Sequence, residues 1–321
     1  MRQIQTVLGP VSADALGQTL IHEHVTCADW SMRMNFGDRF YEEDTVVHMA
    51  AGLLGKAKAC GVSTVVDGTP VNLGRDIHLL RRTARETGLN IIASSGFYYQ
   101  EEPWLAMRDE EEIYGLLKGE CRDGIAGTDS LPGIMKSGIS AAGITPLQHK
   151  LLHATGRVAA ELDLPIFCHH DPSVKSGFGI LELYGSVGVK PHRVILGHSG
   201  DTTDLAYLEG VLKEGCYIGF DRLAYCGFGA TPSLEASVRC ILDLCGKGYE
   251  KRILLSHDWA AYLAFWDSWE TTKSSDYLNI EADFTFVHRH VLPALRAGGM
   301  TDADLRGLVE DNPRRFFSGE A

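Results

Sequence analysis

The sequence predicts an α/β protein in which eight parallel strands close into a (β/α)8 TIM barrel. Eight short apolar or β-branched runs alternate with longer segments of helical periodicity along the whole chain. The 321 residues contain no Ser/Pro/Gly-rich linker and no charge block, so we expect a single domain, residues 1–321. An open doubly wound sheet is the alternative, but the strand count favours the barrel.

The predicted elements follow one another in order. The strands are residues 19–24, 62–67, 90–95, 133–137, 165–169, 193–198, 215–222 and 252–258. The helices are residues 44–60, 75–87, 110–119, 146–162, 203–213, 233–246 and 282–297. In the first helix Val47, Ala50 and Leu54 recur at intervals of three and four, and Gly61 follows, where a left-handed C-cap is expected. Residues 1–17 form an N-terminal extension, 18–300 the barrel, and 301–321 a terminal helix and tail.

Composition and charge exclude several classes of function. Thirty basic and 42 acidic residues give a net charge of −12, which repels nucleic acid and anionic membrane surfaces. No apolar run approaches the roughly 18 residues of a membrane span, and the first residues lack the apolar core of a signal peptide. The eight cysteines form no C-x-x-C pair, which is typical of reduced thiols. We therefore expect a cytoplasmic enzyme that binds a small molecule, with no nucleic acid and no membrane as partner.

Polar residues gather at the predicted strand ends, where barrel enzymes carry their active sites. These residues are His22, His24, His169, His170, His198 and Asp258. Residues two apart on a strand share a face, so His22 and His24 can both point inward while Glu23 points away. One such histidine is usually a hydrogen-bonded core residue. Two imidazoles on one face, two more from neighbouring strands and a carboxylate, all at one end of a barrel, are typical of a metal site.

The fourth predicted strand carries Lys136, in the apolar stretch 132–136. Burial of an ammonium group is costly and lowers the pKa of a lysine, which favours the free amine. A free amine can combine with carbon dioxide to give a carbamate, whose two oxygens can bridge two metal ions. A lysine that reaches the surface or pairs with a carboxylate is the alternative. Beside four histidines, we expect the carbamate.

These motifs, taken in order along the chain, resemble those of the phosphotriesterase family of the amidohydrolase superfamily. Within that family, their sequences most resemble those of the phosphotriesterase-like lactonases. The matching segments are residues 8–10, 19–24, 74–76, 133–136, 197–202, 218–221, 253–258 and 312–316. The resemblance implies a TIM barrel with a binuclear metal site at the C-terminal ends of its strands. It also implies a metal-dependent hydrolase that forms a homodimer.

The resemblance implies that six residues hold two divalent metal ions. The ligands of the more buried ion would be His22, His24 and Asp258. Those of the more exposed ion would be His169 and His198, and carbamylated Lys136 and a hydroxide would bridge the two. Of the adjacent pair His169 and His170, we favour His169. This ligand set suits zinc, our first choice, and also cobalt, manganese or iron.

Two further residues bear on the substrate. Tyr98 and Arg222 stand where the resemblance places a tyrosine and an arginine in the lactonase-like members. We expect hydroxide attack on a lactone or related carboxylic ester, with Tyr98 donating to the developing oxyanion and Asp258 transferring the proton. Arg222 would orient the substrate. A half-buried rim aromatic and a structural ion pair, for example with Asp221, are the alternatives for Tyr98 and Arg222.

Other functions use the same residues. A phosphotriester or an amide could be hydrolysed at this site, and a barrel that binds a ligand without catalysis is a third hypothesis. The loop after strand eight departs from the family pattern and is rich in aromatics: Trp259, Tyr262, Phe265, Trp266, Trp269 and Tyr277. This segment could cover the substrate or form a dimer interface. Few basic residues occupy the loops after strands seven and eight, which disfavours a phosphorylated lactone.

Overall fold

The structure, a computed structural model, describes residues 2–229, 231–264 and 282–321. In these residues an antiparallel hairpin of β1 (Gln3–Thr6) and β2 (Gly9–Ser12) precedes nine strands of one parallel sheet. They are β3 (Gln18–Ala28), β4 (Val62–Asp67), β5 (Asn90–Gly96), β6 (Ile134–Gly138), β7 (Ile166–His169), β8 (Val194–Gly197), β9 (Tyr217–Phe220), β10 (Ile253–Leu255) and β11 (Ala260–Ala264).

Helices separate most of the strands. They are α1 (Trp30–Phe36), α2 (Glu43–Ala59), α3 (Ile77–Thr87), α4 (Pro103–Ala106), α5 (Glu110–Asp123), α6 (Pro146–Leu162), α7 (Gly177–Ser186), α8 (Leu205–Lys213), α9 (Leu234–Gly246), α10 (Leu292–Ala297), α11 (Asp302–Arg306) and α12 (Asn312–Ser318). Turns of π-helix at Val287–Val291 and Gly307–Asp311 lead into α10 and α12. Among the described helices, none combines the length and the apolar character needed to cross a membrane.

Strands β3–β10 form the barrel, and each is parallel to its neighbour in the chain. The ring closes between β3 and the residues after β10. There the N–H of Asp258 donates to the carbonyl of His22 (3.0 Å), and the N–H of His24 donates to the carbonyl of Trp259 (2.9 Å). Beyond this seam the chain continues as β11, which runs parallel to the far end of β3. The predicted TIM barrel is confirmed.

One layer of side chains fills the barrel, with one residue from each of the strands β3–β10. The layer consists of Ile21, Val66, Ile92, Ile134, Phe167, Ile195, Tyr217 and Leu254. Phe316 and Phe317 of α12 pack against it, and Arg193, just before β8, donates to the carbonyl of Phe316 (2.7 Å). The apolar filling therefore extends to the end where the strands begin, and the polar strand ends lie at the other.

Helix α6 shows how local sequence sets the outer layer. The Thr145 side chain caps its first turn by accepting from the N–H of Gln148 (3.2 Å), and Pro146 occupies the first helical position, where its missing N–H costs nothing. The helix ends where Asp163 adopts a left-handed conformation. Leu151 and Val158 lie on its buried face and pack between helix and barrel.

Several elements differ from the expectation. The predicted extension contains the β1–β2 hairpin, helices α1, α4 and α7 were not predicted, and β11 occupies a segment expected to be a loop. The α7 segment contains three glycines and apolar residues around most of its circumference, so its helical period is weak in the sequence. β11 forms because β3 continues to Ala28 and offers its backbone as a template.

The aromatic segment after strand eight can be followed only in part. Trp259 and Tyr262 are each 1% exposed and belong to the hydrophobic core beneath α2 and α3. For these two residues, the expected role as a lid or an interface is wrong, because their rings pack inward. Phe265, Trp266, Trp269 and Tyr277 lie outside the described residues.

Candidate active site

The strand ends bring the predicted polar residues to one end of the barrel. Neighbouring strands are in register there, since Gly138 lies opposite His169 and His169 lies opposite Gly197. Lys136 Nζ lies 2.8 Å from His22 Nε2, and the ring centroids of His22 and His198 are 5.3 Å apart. The site is therefore one continuous cluster that spans the barrel.

A register shift in β3 turns two adjacent residues inward. Leu20 lies opposite Val65 and Glu23 opposite Asp67, so β3 carries one extra residue between these pairs. Such a bulge re-aims side chains. It lets Ile21 fill the barrel layer while His22 contributes to the cluster above it.

Glu23 points away from the cluster, as predicted, and closes the barrel seam. Its Oε1 accepts from the Ser256 hydroxyl (2.7 Å) and from the backbone N–H of His257 (3.0 Å), and its Oε2 accepts from the N–H of Trp259 (3.0 Å). This carboxylate is 1% exposed and fully engaged in hydrogen bonds. Its role is therefore to hold the residues that follow β10 against β3.

His22, His24 and Asp258 meet at the seam. Asp258 Oδ1 lies 2.9 Å from His24 Nε2 and 3.3 Å from His22 Nε2. Asp258 adopts a left-handed backbone conformation with φ of 54°. A non-glycine residue pays roughly 1–2 kcal/mol for this conformation, which persists only where the surroundings enforce it. Here the seam hydrogen bond from the Asp258 N–H to His22 helps to enforce it.

In both His22 and His24, Nδ1 is hydrogen-bonded to an oxygen on the side away from Asp258. These hydrogen bonds determine that Nε2 is the nitrogen that faces Asp258 with a lone pair. Nδ1 of His22 lies 2.7 Å from Asp221 Oδ2, which can only accept, so Nδ1 carries the proton. The Thr69 hydroxyl donates to the carbonyl of Thr26 (3.3 Å) and therefore accepts from Nδ1 of His24 (2.8 Å). Both Nε2 atoms are left as electron-pair donors, as in metal-binding histidines whose other nitrogen is held by an oxygen.

The pKa values of His22 and Asp258 favour their ligand forms. That of His24 does not in the metal-free protein, since burial would lower it but Cys27 and Asp258 hold it well above its usual value. Burial, and then the nearby Lys136, lowers the pKa of His22 to about 3. Burial alone would raise the pKa of Asp258, but His22, His198 and His24 hold it well below its usual value. A neutral imidazole thus faces an ionised carboxylate.

Lys136 is 1% exposed and lies over the Phe167 ring, with Nζ 4.1 Å from the ring centroid. Its amine donates to His22 Nε2. In the described part of the chain no carboxylate lies within ion-pair distance of it, so the alternative of a paired or surface lysine does not apply. Burial lowers the pKa of Lys136 to about 8, which makes the free amine accessible near neutral pH.

His169 and His198 form the other half of the cluster. His169 Nδ1 lies 2.6 Å from His198 Nε2, and burial, followed by His198, lowers the pKa of His169 well below its usual value. His198, like Asp258, has a left-handed backbone, with φ of 60°. His170 turns away: its ring nitrogens bond the carbonyl of Gly197 (2.5 Å) and the hydroxyl of Tyr207 (3.0 Å).

These contacts fit a cation. His24 Nε2 and Asp258 Oδ1 are both acceptors at 2.9 Å, and His169 Nδ1 and His198 Nε2 are two ring nitrogens at 2.6 Å. Each pair is stable only with a proton or a metal ion between its members. The donor atoms of His22, His24 and Asp258 lie within 4.8 Å of one another, as do those of His22, His198 and Asp221. Imidazole and carboxylate donors in this number suit a divalent transition metal.

A cavity of about 220 Å³ opens beside the cluster and is lined by His24, Tyr98, Arg222, Tyr225 and Asp258, among others. The Tyr98 and His169 rings meet edge to face at 5.0 Å. Burial, and then the neighbouring Tyr99 and Asp258, raises the pKa of Tyr98 well above its usual value, so its phenol stays protonated.

Arg222 connects the cavity to a second carboxylate. Its Nη1 donates to Asp201 Oδ2 (2.8 Å), and its Nε lies 3.5 Å from Asp258 Oδ2. Burial would lower the pKa of Arg222, but Asp201 and Asp258 raise it, so the guanidinium stays charged. The acid paired with Arg222 is therefore Asp201, whereas Asp221 serves the histidines.

Comparison with known proteins identifies the family. The model of the phosphotriesterase family matches residues 2–317, almost the entire chain. The chain belongs to the phosphotriesterase family. A phosphotriesterase homology protein of Mycobacterium tuberculosis is 32% identical, over 99% of this chain and 98% of its own. An aryldialkylphosphatase of Saccharolobus solfataricus is 29% identical (96% and 97% covered), and an N-acetyltaurine hydrolase of Mus musculus is 24% identical (98% of both).

The family and the names of its members make this phosphotriesterase-family chain a hydrolase, and the family is metal-dependent. Sequence reasoning assigned no role in the site to Asp221, Thr69 and Asp201. Asp221 binds the N–H of His198 (2.6 Å) as well as Nδ1 of His22. The signal for Asp221 was its position at the end of strand seven, directly before Arg222. Thr69 lies in a loop and carried no such signal.

Proposed function

We propose that this phosphotriesterase-family protein opens a lactone or cleaves a related carboxylic ester. The observation that carries the proposal is the position of Tyr98. Its protonated phenol lines the same cavity as Asp258 and packs against His169. A carbonyl group that enters this cavity would meet a hydroxyl donor on one side and a carboxylate on the other, which are the groups that acyl transfer requires.

The ligand assignment belongs to this proposal. The residues that would hold two divalent ions, zinc by preference, are His22, His24, Lys136, His169, His198 and Asp258. The bound ions would supply Lewis acidity and make a hydroxide available at neutral pH. The engagement of His170 with Gly197 and Tyr207 supports His169 as the ligand of that pair. Asp221 and Thr69 would orient His22 and His24.

Lys136 would serve as a carbamate. Its free amine forms a bond to the carbon of carbon dioxide and loses one proton, which leaves an anion with two oxygens. The low pKa of Lys136 supports the first requirement, a neutral amine. The proton would pass to solvent. The anion then replaces a buried positive charge beside histidines that would themselves bind cations.

Asp258 would move the proton. Its Oδ1 faces His24 and His22, while its Oδ2 faces Arg222 Nε (3.5 Å). Oδ2 would accept the proton from the attacking water and return it to the leaving alkoxide. Arg222 stays charged and cannot itself relay a proton, so its contribution would be to orient the substrate and to keep Asp258 ionised.

The experiment is a panel of substrates assayed with metal-loaded protein: γ- and δ-lactones, aryl carboxylic esters, N-acyl amides and a diethyl aryl phosphotriester. Protein stripped with a chelator serves as the control. We expect the highest kcat/KM on a lactone or carboxylic ester. A higher kcat/KM on the phosphotriester would overturn the substrate assignment while leaving the metal site in place.

Two relatives favour specific alternatives. The aryldialkylphosphatase supports a phosphotriester substrate, and the N-acetyltaurine hydrolase supports an amide substrate. An amide needs the same groups but places more demand on protonation of the leaving nitrogen. The substrate panel distinguishes all three.

We also propose that the chain forms one domain, residues 1–321, and acts as a homodimer in the cytoplasm. The eight cysteines are all free thiols, which supports a reducing compartment. The continuous hydrophobic clusters around the barrel support a single domain.

A further inference from the structure

A second concave surface, which we call the outer groove, lies beside the cavity. It has a volume of about 570 Å³, and its lining includes Asp29, Trp30, Asn72, Gln100, Glu102 and Trp104. Gln100 lines both the outer groove and the cavity. Asn72 donates to the Gln100 carbonyl (3.2 Å) and accepts from the N–H of Tyr98 (2.7 Å). The two spaces therefore share the wall formed by Gln100, beside Tyr98.

Two tryptophans give the outer groove an aromatic surface. Trp30 and Trp104 are each 41% exposed, whereas Trp259 is buried in the core. The Trp104 ring is oriented by an edge-to-face contact with Phe97, at 5.8 Å between centroids. Indole faces are the aromatic surfaces that bind organic cations best.

The charges of the outer groove are all of one sign among its described lining residues. Asp29 and Glu102 are both acidic. Arg33 and Arg75, which closely follow lining residues in the sequence, are engaged with other acids: Arg33 pairs with Asp38 and Glu43, and Arg75 pairs with Glu120. Asp29 also caps α1 by accepting from the N–H of Met32 (3.0 Å). An anionic group would be repelled here, and an uncharged apolar group would desolvate the Glu102 carboxylate without compensation.

We propose that the outer groove binds a positively charged end of the substrate, a quaternary or protonated amine, while its carbonyl group lies in the cavity. This inference rests on the proposed hydrolase function. Aromatic faces and carboxylates act together on such a cation, and the net charge of −12 attracts it from solution. The preferred substrate is thus a lactone or ester with a cationic substituent.

Binding is tested first, on metal-loaded protein, by calorimetry and tryptophan fluorescence. The probes are benzyltrimethylammonium, benzyl alcohol and benzenesulfonate, which share a benzene ring and differ in charge. We expect the cation to bind about tenfold more tightly than the alcohol and the sulfonate to bind more weakly than either. Three single variants, Glu102→Gln, Trp104→Ala and Trp30→Ala, should each weaken binding of the cation by about five- to tenfold.

Control variants lie outside the outer groove. Glu214→Gln removes an exposed carboxylate at the other end of the barrel, and Met107→Ala removes an apolar side chain that is 85% exposed. Both should leave cation binding unchanged. Equal binding of the three probes overturns the proposal, as does cation binding that is insensitive to Glu102 and both tryptophans. A change of oligomeric mass in Trp104→Ala or Trp30→Ala, with no cation binding by wild type, would also overturn it and assign the groove to a second copy.

Kinetics separate this inference from the proposed function. A choline ester and its uncharged isostere, the 3,3-dimethylbutyl ester of the same acid, differ only in charge. We expect wild type to favour the choline ester in kcat/KM, and Glu102→Gln to raise its KM without changing that of the isostere. Hydrolysis of neither ester, together with intact cation binding, would refute the hydrolase assignment and leave the groove. Hydrolysis of both at equal rates would refute the groove and leave the hydrolase.

Discussion

Replacing Gly68 with alanine should weaken metal binding by displacing the His22 imidazole. Gly68 directly follows β4, and a methyl group there would lie 2.3 Å from His22 Cδ2, 2.7 Å from His22 Nε2 and 3.3 Å from Lys136 Nζ. Ordinary contact begins at 3.4 Å, so the imidazole must retreat by about 1 Å. Metal–ligand distances tolerate about 0.2 Å, so such a shift removes a ligand.

The expected magnitude follows from that displacement. Loss of correct ligand orientation raises the metal Kd by about 10- to 100-fold. Overpacking should lower the unfolding free energy of the metal-free protein by about 1–3 kcal/mol. Chelator competition measures the first quantity, and denaturant unfolding of the stripped protein measures the second.

Gly115→Ala is the matched control. Gly115 lies in α5 and a methyl group there would meet no atom within 4 Å. The same chemical change should leave metal binding unaltered and stabilise the helix by about 0.4–1 kcal/mol. If Gly68→Ala binds two ions with wild-type affinity, His22 is not a ligand and the metal assignment fails.

Four further outcomes follow from the site. Elemental analysis of active protein should find two metal ions per chain, and a stoichiometry of one would refute the binuclear site. Lys136→Ala should lose most activity and recover part of it in short-chain carboxylic acids, whereas recovery with none added would count against the carbamate. Tyr98→Phe should lower lactone turnover by about 10²-fold, or ~3 kcal/mol, and affect phosphotriester turnover much less; equal losses would contradict the oxyanion role. Burial would raise the pKa of Asp221, but His198 and His22 hold it well below its usual value. The ionised carboxylate therefore stabilises the metal-free fold above about pH 4, and this stabilisation is lost as the pH falls through the pKa of the folded state. Denaturant unfolding of Asp221→Asn should therefore depend less on pH in that acid range, and an unchanged pH dependence would show that Asp221 carries no such linkage.

The barrel could be predicted because its strands leave a local pattern. Buried parallel strands are continuous apolar runs, and the outer helices have one apolar face, so both periods are visible in the sequence. Helix α7 was not predicted because its apolar residues and glycines lie on all sides of the helix, so the sequence shows no apolar face with helical periodicity. β11 was missed because only the length of β3, a tertiary feature, gives Ala260–Ala264 a partner.

The candidate site was predicted through its strand ends and missed where loops contribute. His22, His24 and Asp258 lie at the ends of the predicted strands 19–24 and 252–258, and the alternation of side chains indicates that the two histidines share a face. In the structure β3 continues past both histidines to Ala28. Thr69 cannot be inferred in this way, because its contact with His24 depends on the path of a loop. The partner of Arg222 was also beyond the sequence, since Asp201 reaches it from the turn after β8.

The alternation in His22-Glu23-His24 also bears on how the barrel folds. A shift of one residue in the pairing of β3 with the residues that follow β10 would turn Glu23 into the barrel interior and both imidazoles out of it. The Ser256 hydroxyl and two backbone N–H groups of the seam would then lose their acceptor, each inside a buried environment. These three consecutive side chains thus favour one register of β3 against the residues that follow β10. Assembly of the ring in the wrong register is penalised before any metal is present.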